Sequence, residues 1–284
     1  MESVLQSNLP LVTVFFPFIM AILTLLFIRH QGKRKKQRKL ILFFLFMGIA
    51  IMGLLLFLML LAVLKGNSLQ SVFWPQMIPF ELKFRVDGLS ITMAILSFFL
   101  WSCVAVYSFI YIKNDRVQYY ALLFLLLGAT QDAFFAIDLV NFYLFLEMTT
   151  IITYLLVIHN KDSEALQAGY KYLIISLIGA FLVFLSILFA YRSMGNFKMA
   201  NIITCGESVV PILFLMGCFI KAGAVPFHIW LPEAHPAAPS PISAFLSGIM
   251  IKIGLYGIIR VLFVNSRFQF TLKKKKKSLL ILIM

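Results

Sequence analysis

Long apolar runs, parted by short polar stretches, set the reading of this chain. Each run is close to the ~20 residues a helix needs to cross ~30 Å of hydrocarbon. In order they predict about eight spans: helix 1 over about 9–28, helix 2 about 40–64, helix 3 about 89–112 and helix 4 about 119–137, then helix 5 about 141–158, helix 6 about 170–191, helix 7 about 209–230 and helix 8 about 240–265. Residues 65–86, with Trp74, Pro75, Pro79, Glu81, Lys83 and Arg85, read as an exterior loop with interfacial aromatics, and HNKDSEALQAG at 159–169 as a loop on the inside. Helix 7 is interrupted at Pro226, because proline has no N–H and its ring clashes with the preceding turn. PFHIWLPEAHPAAPSP, punctuated by Pro226, Pro232, Pro236, Pro239 and Pro241, reads as a loop between helices 7 and 8.

Composition agrees with an all-α polytopic membrane protein. Of 284 residues 62% are hydrophobic, and the mean hydropathy of +0.97 is outside the soluble range. The net charge of +14 does not indicate nucleic acid, since the basic residues sit in blocks between apolar runs and so carry orientation information. Arg29, Lys33, Arg34, Lys35, Lys36, Arg38 and Lys39 crowd one short loop. The positive-inside rule makes that loop cytoplasmic in a cell (inner/plasma) membrane, with the N-terminus outside. Cys103, Cys205 and Cys218 show no paired spacing, so neither a disulfide framework nor a metal knuckle is indicated. Three regions follow: 1–118 with helices 1–3, 119–265 with helices 4–8, and a tail over 266–284. Lys273 to Lys277 would fall on the outside, against the charge rule. A run of adenines encoding them is prone to frame slippage, so a truncated or frameshifted product is expected, with an authentic basic tail as the alternative.

Ionisable side chains inside the spans then carry the chemistry, each costing at least ~2.5–3.5 kcal/mol at mid-bilayer. Glu147 lies about 10 Å along helix 5 at 1.5 Å per residue. Lys221 sits in helix 7 just ahead of the break, and Lys252 at mid-depth in helix 8. A carboxylate holds a neighbouring ammonium charged; removing the acid's charge, or drawing the proton on to a second lysine, lets the first release it. That makes Glu147, Lys221 and Lys252 a proton relay that requires no metal or cofactor. The alternative is an ion pair that only fixes helix register. His228 and His235 flank the break and are candidates to pass protons onward, or are interfacial groups bonded to carbonyls. Asp132, half-buried at the end of helix 4, and Lys171, opening helix 6 and able to snorkel to the surface, are further path candidates. Tyr256 stands one turn past Lys252, where its hydroxyl would bond that ammonium.

Three motifs in these places, DLVNFYLFLE (138–147), KAGAVPFHIWLPEAH (221–235) and APSPISAFLSGIMIKIG (238–254), resemble the antiporter-like, proton-conducting membrane subunits of respiratory complex I, multisubunit Mrp-type sodium/proton antiporters and membrane-bound group 4 hydrogenases. The resemblance covers helices 1 to 8. It implies that Glu147 is the family's helix 5 glutamate, Lys221 the lysine of its broken helix 7, and Lys252 its helix 8 lysine. It also implies that helices 4–8 are one half of an inverted-repeat antiporter-like fold whose members have about 14 helices, and that the second half is absent here. The Mrp D-like or hydrogenase-like branch is favoured over a quinone-reducing complex.

The expectation is therefore a subunit that moves protons, alone or in exchange for sodium, beside other membrane subunits in the lipid bilayer, with any redox cofactors held elsewhere. A non-conducting structural subunit or remnant is the competing reading. An independent carrier for an organic solute is disfavoured, because the chain shows no polar pocket beyond these few charges.

Overall fold

The structure is a computed structural model and describes residues 3–28, 34–73, 82–204 and 206–263. The tail beyond Phe263, the 74–81 segment and much of the basic run lie outside the described residues. Strand β1 (Ser3–Gln6) leads into α1 (Leu9–Leu23), α2 (Arg34–Leu64), β2 (Asn67–Phe73), β3 (Leu82–Val86), α3 (Gly88–Tyr111), α4 (Arg116–Phe135), α5 (Leu139–Val157) and α6 (Ser163–Met194). Then come α7 (Val209–Lys221), α8 (Leu231–Ala237), α9 (Ser240–Phe245) and α10 (Ile251–Phe263). Helix 8 of the sequence is thus α9 and α10, joined by a π turn over Leu246–Met250.

Among the described residues six helices are long and apolar enough to span a bilayer: Leu9–Phe27, Lys35–Leu64, Gly88–Tyr111, Leu139–Asn160, Ser163–Met194 and Ser240–Leu262. Two of the expected eight are outside that group for different reasons. Helix α7 stops at 13 residues. Helix α4 is long enough, but Gln118, Tyr119, Tyr120, Thr130, Gln131 and Asp132 lower its mean hydropathy; it is enclosed by α1, α3 and α5. Nearly its whole length from Tyr119 to Phe135 is buried, so it has no lipid-facing stripe and carries Thr130, Gln131 and Asp132 in its interior. Side chains lock it to α3: Trp101 Nε1 donates to the Leu123 carbonyl at 2.7 Å, and the Tyr120 hydroxyl to the Ala105 carbonyl at 2.9 Å.

Four expectations need correction. The 65–86 loop contains strands: β2 pairs parallel with β1 and antiparallel with β3. The register is Leu69 opposite Leu5 and Val86. Backbone at a membrane surface still has to be hydrogen-bonded, and here the three short strands satisfy one another. Helix 6 begins at Ser163 rather than about 170, because Asp162 accepts from the Ala165 amide at 2.7 Å and EALQ continues the helix it caps. Helix 2 reaches back to Arg34 over the basic run. The proline-rich loop contains α8, whose Pro232 sits in the first turn, where a missing N–H costs nothing.

Glycines set the closest approaches. A Cβ on Gly217 of α7 would stand 2.6 Å from the Gly179 carbonyl of α6, and one on Gly254 of α10 would stand 2.7 Å from the Cys218 carbonyl of α7. Helix α7 is therefore held backbone to backbone on two sides, and Lys221 is its last residue.

Candidate functional site

Helix α7 ends where Gly223 takes a left-handed conformation (φ +62°). The Gly223 amide donates to the Ile220 carbonyl and the Ala224 amide to the Phe219 carbonyl, each at 3.0 Å. This is a Schellman closure, and only glycine enters it without strain. The helix thus breaks directly after Lys221, five residues before the Pro226 to which the sequence assigned it. A cation at this place faces the negative end of the α7 dipole.

Two helices bring one acid to that ammonium. Asp138 caps α5, its Oδ1 accepting from the Asn141 amide at 2.8 Å, and Asn141 Nδ2 donates to the Lys83 carbonyl of β3 at 3.0 Å. From this anchored start, Glu147 and Thr150 lie three residues apart on one face. Lys221 Nζ stands 2.8 Å from Glu147 Oε1, with the two side chains 6% and 16% exposed. Nζ also donates to Thr150 Oγ1 at 2.7 Å, so the ammonium is shared between a carboxylate and a hydroxyl. Thr150 in turn donates to the Leu146 carbonyl at 3.0 Å, which leaves its lone pairs to the ammonium. The Tyr172 hydroxyl of α6 lies against Thr150, Thr153 and Ser176. Thr153 reaches Met250 Sδ of the π turn at 3.5 Å. A narrow polar strip thus runs from the pair toward helix 8 through an otherwise apolar interior.

The remaining candidates divide. Lys252 follows the π turn, and its Nζ donates to the Ser247 carbonyl of its own helix at 3.1 Å; it forms no ion pair among the described residues. Tyr256 does not reach Lys252. Its hydroxyl bonds the Phe134 carbonyl at 2.5 Å, one of the last-turn carbonyls of α4 that lack a partner within their helix. His228 is exposed on the 3-10 turn Phe227–Trp230. His235 Nδ1 pairs with Ser243 Oγ at 2.9 Å, which fixes α8 to α9. Lys171 lies inside helix 6 instead of opening it, and forms a half-exposed ion pair with Glu233 of α8. Asp132 is fully buried, not half-buried, and neither carboxyl oxygen has a hydrogen-bond partner among the described residues.

Sequence reasoning singled out Lys252 in helix 8 and passed over Arg260. Arg260 Nη1 stands 2.6 Å from Asp87 Oδ2, the arginine buried and the aspartate largely so, and its guanidinium lies 5.7 Å from the Tyr256 ring centre. The signal was present: an arginine within an apolar run, and D-G-L-S, in which Asp87 and Ser90 form a capping box at the start of α3. No group of three or more side chains able to hold a metal occurs among the described residues.

The chain has relatives among known proteins. Residues 136–284 match the family model described as NADH:quinone oxidoreductase/Mrp antiporter, TM. Residues 74–120 match NADH-Ubiquinone oxidoreductase (complex I), chain 5 N-terminus. The chain is 26% identical over 269 residues to the D-type component of the Na(+)/H(+) antiporter of Alkalihalophilus pseudofirmus, an alignment covering 90% of this chain and 52% of that protein. It is 33% identical over 208 residues to Hydrogenase-4 component B of Escherichia coli, covering 69% and 30%. Among solved structures, a chain of the Mrp complex from Dietzia superposes with a TM-score of 0.77 at 22% identity, covering 89% of this chain and 48% of that one. The chain spans about half the length of the antiporter protein it matches.

Proposed function

The chain belongs to the NADH:quinone oxidoreductase/Mrp antiporter membrane-subunit family, and from that premise we propose that it moves protons within a multisubunit membrane complex. The observation that carries this reading is the Glu147–Lys221 contact at 2.8 Å. It sits where a helix terminates inside the apolar layer, the arrangement by which transporters place ion sites. While Glu147 is ionised it holds the Lys221 proton; when Glu147 is neutralised, Lys221 is left as a desolvated cation and releases its proton. Thr150 and Tyr172 offer hydroxyls along which the proton leaves toward the π turn, with Lys252 as the next acceptor. His228, His235 and Lys171 stand at the surface end of this path. Sodium enters only as the exchanged ion, and redox groups, where the complex has them, belong to other subunits. The membrane is the cell (inner/plasma) membrane, with the N-terminus outside.

A second reading is a structural subunit whose pair only fixes the register of α5 against α7; it is favoured by Lys252 bonding to its own helix. Lys221→Ala in the assembled complex decides between them. The relay expects proton-driven ion flux to be lost while the complex still assembles; unchanged flux in intact membranes establishes the structural reading.

A further inference from the structure

At the opposite end of the bundle from the sheet, a cavity of about 1060 Å³ opens between the π turn Thr24–Ile28, the start of α2 and the α3–α4 connection. That volume lies just above the roughly 300–1,000 Å³ of ligand-sized pockets. Its mouth carries Arg38, Lys113 and Arg116, exposed or half-buried; its floor is the more deeply set Ile41 and Leu125, with the more exposed Leu25 beside them. The apolar floor continues nine residues along α4 beyond the mouth, about 13 Å at 1.5 Å per residue.

The charge at the mouth is unbalanced. None of the three cations has a carboxylate partner among the described residues. Asp115, the one acid at the rim, is turned away to Lys161 Nζ at 2.7 Å. Two of the cations are held close together: Arg38 and Arg116 lie 4.6 and 5.5 Å from the centre of the same Phe109 ring. Arg116 Nε is fixed on the Ile112 carbonyl at 2.5 Å, which leaves its terminal nitrogens for a ligand. Helix α4 adds a fourth contribution. Its first intrahelical bond is Tyr119 N to the Asp115 carbonyl at 3.0 Å, and no side chain caps its start. The amides of Arg116, Val117 and Gln118 are therefore free at the positive end of a 20-residue helix. Such an end is an anion site, and here guanidinium groups surround it.

We infer that this cavity binds the phosphodiester of an anionic phospholipid, with Arg38, Lys113, Arg116 and the α4 amides on the headgroup and the acyl chains along the Ile41–Leu125 floor. A free phosphate shares the headgroup chemistry, but it has no use for an apolar floor that runs into the membrane layer. A basic rim over an apolar slot fits an amphiphile.

The test counts lipids retained by the purified chain in mild detergent, by native mass spectrometry. The probes are phosphatidylglycerol, phosphatidylcholine with the same acyl chains, the chain-free headgroup glycerophosphoglycerol, and inorganic phosphate. Expected is one phosphatidylglycerol held about tenfold more tightly than phosphatidylcholine, a preference abolished in R38Q/K113Q, kept in R38K/K113R and kept in K35Q/K36Q, whose lysines lie outside the cavity. Retention unchanged in R38Q/K113Q overturns the site, and so does equal loss in K35Q/K36Q, which signifies diffuse attraction to a basic surface. Displacement by millimolar phosphate or by glycerophosphoglycerol overturns the lipid assignment in favour of a soluble anion.

Discussion

Arg260 Nη1 of α10 stands 2.6 Å from Asp87 Oδ2 at the head of α3. The second oxygen of Asp87, Oδ1, accepts from the Ser90 amide at 3.0 Å. One carboxylate thus caps one helix and neutralises the end of another. Removing a single partner of a buried pair leaves the other charge unpaired, at a cost of about 3–5 kcal/mol. Asp87→Asn keeps the cap, since asparagine caps as well as aspartate, yet is expected to lower stability by about that amount. Pairing it with Arg260→Met is expected to recover most of the loss. Denaturant unfolding of the two single variants and the double variant measures the coupling; simple additivity would show that the pair contributes nothing.

Thr150 accepts a hydrogen bond from Lys221. Thr150→Val keeps the shape and removes the acceptor, and is expected to cost about 1–3 kcal/mol because the bond involves a charged group. Thr150→Ser keeps the oxygen and is expected to change stability little. In the assembled complex Thr150→Val is expected to slow ion flux, and Thr150→Ser to leave it near the parent rate. Equal effects of the two would sink the bond's role.

Gly217→Ala and Gly254→Ala each press a methyl into a neighbouring carbonyl and are expected to destabilise by about 1–3 kcal/mol. Gly88→Ala, where a Cβ would meet nothing within 4 Å, is the control and is expected to be neutral. Thermal unfolding in detergent reads all three.

Asp138 lies outside the span of α5, near Lys83 of β3, and its backbone forms an antiparallel β-bridge with that of Lys198. Burial pushes its carboxyl up from 3.8 to about 6, against the opposing pull of the Asn141 amide and of Lys83. A carboxyl raised in the folded chain binds its proton more tightly there than in the unfolded chain. Its contribution to stability is therefore full below about 4 and lost as pH rises through about 6. The parent is expected to gain stability relative to Asp138→Asn when pH is lowered from 7.5 to 5. A difference between the two that does not vary with pH would contradict this.

The sequence made the Glu147–Lys221 pairing legible because lone charges in apolar runs are costly enough to require each other. It made the break after Lys221 legible through Pro226, although Gly223 is what ends the helix. The sheet was hidden, since β1 has four residues and its partners lie more than sixty positions away. Helix α8 was hidden among prolines that usually punctuate loops. The Arg260–Asp87 pair escaped because both residues lie near helix ends, where charges are ordinarily solvated. Tyr256 was placed on Lys252 by spacing alone, whereas the unpartnered carbonyls closing α4 decided its bond.

Helix α4 owes its interior place to neighbours made before and after it. With Gln131 and Asp132 buried along its length, it is a poor candidate for release into lipid as a solitary segment. Until α5 covers its remaining side, those polar groups would face lipid, so insertion of α4 is expected to be coupled to that of α5. Biogenesis of this chain is therefore expected to deliver these helices to the bilayer as a cluster rather than one at a time.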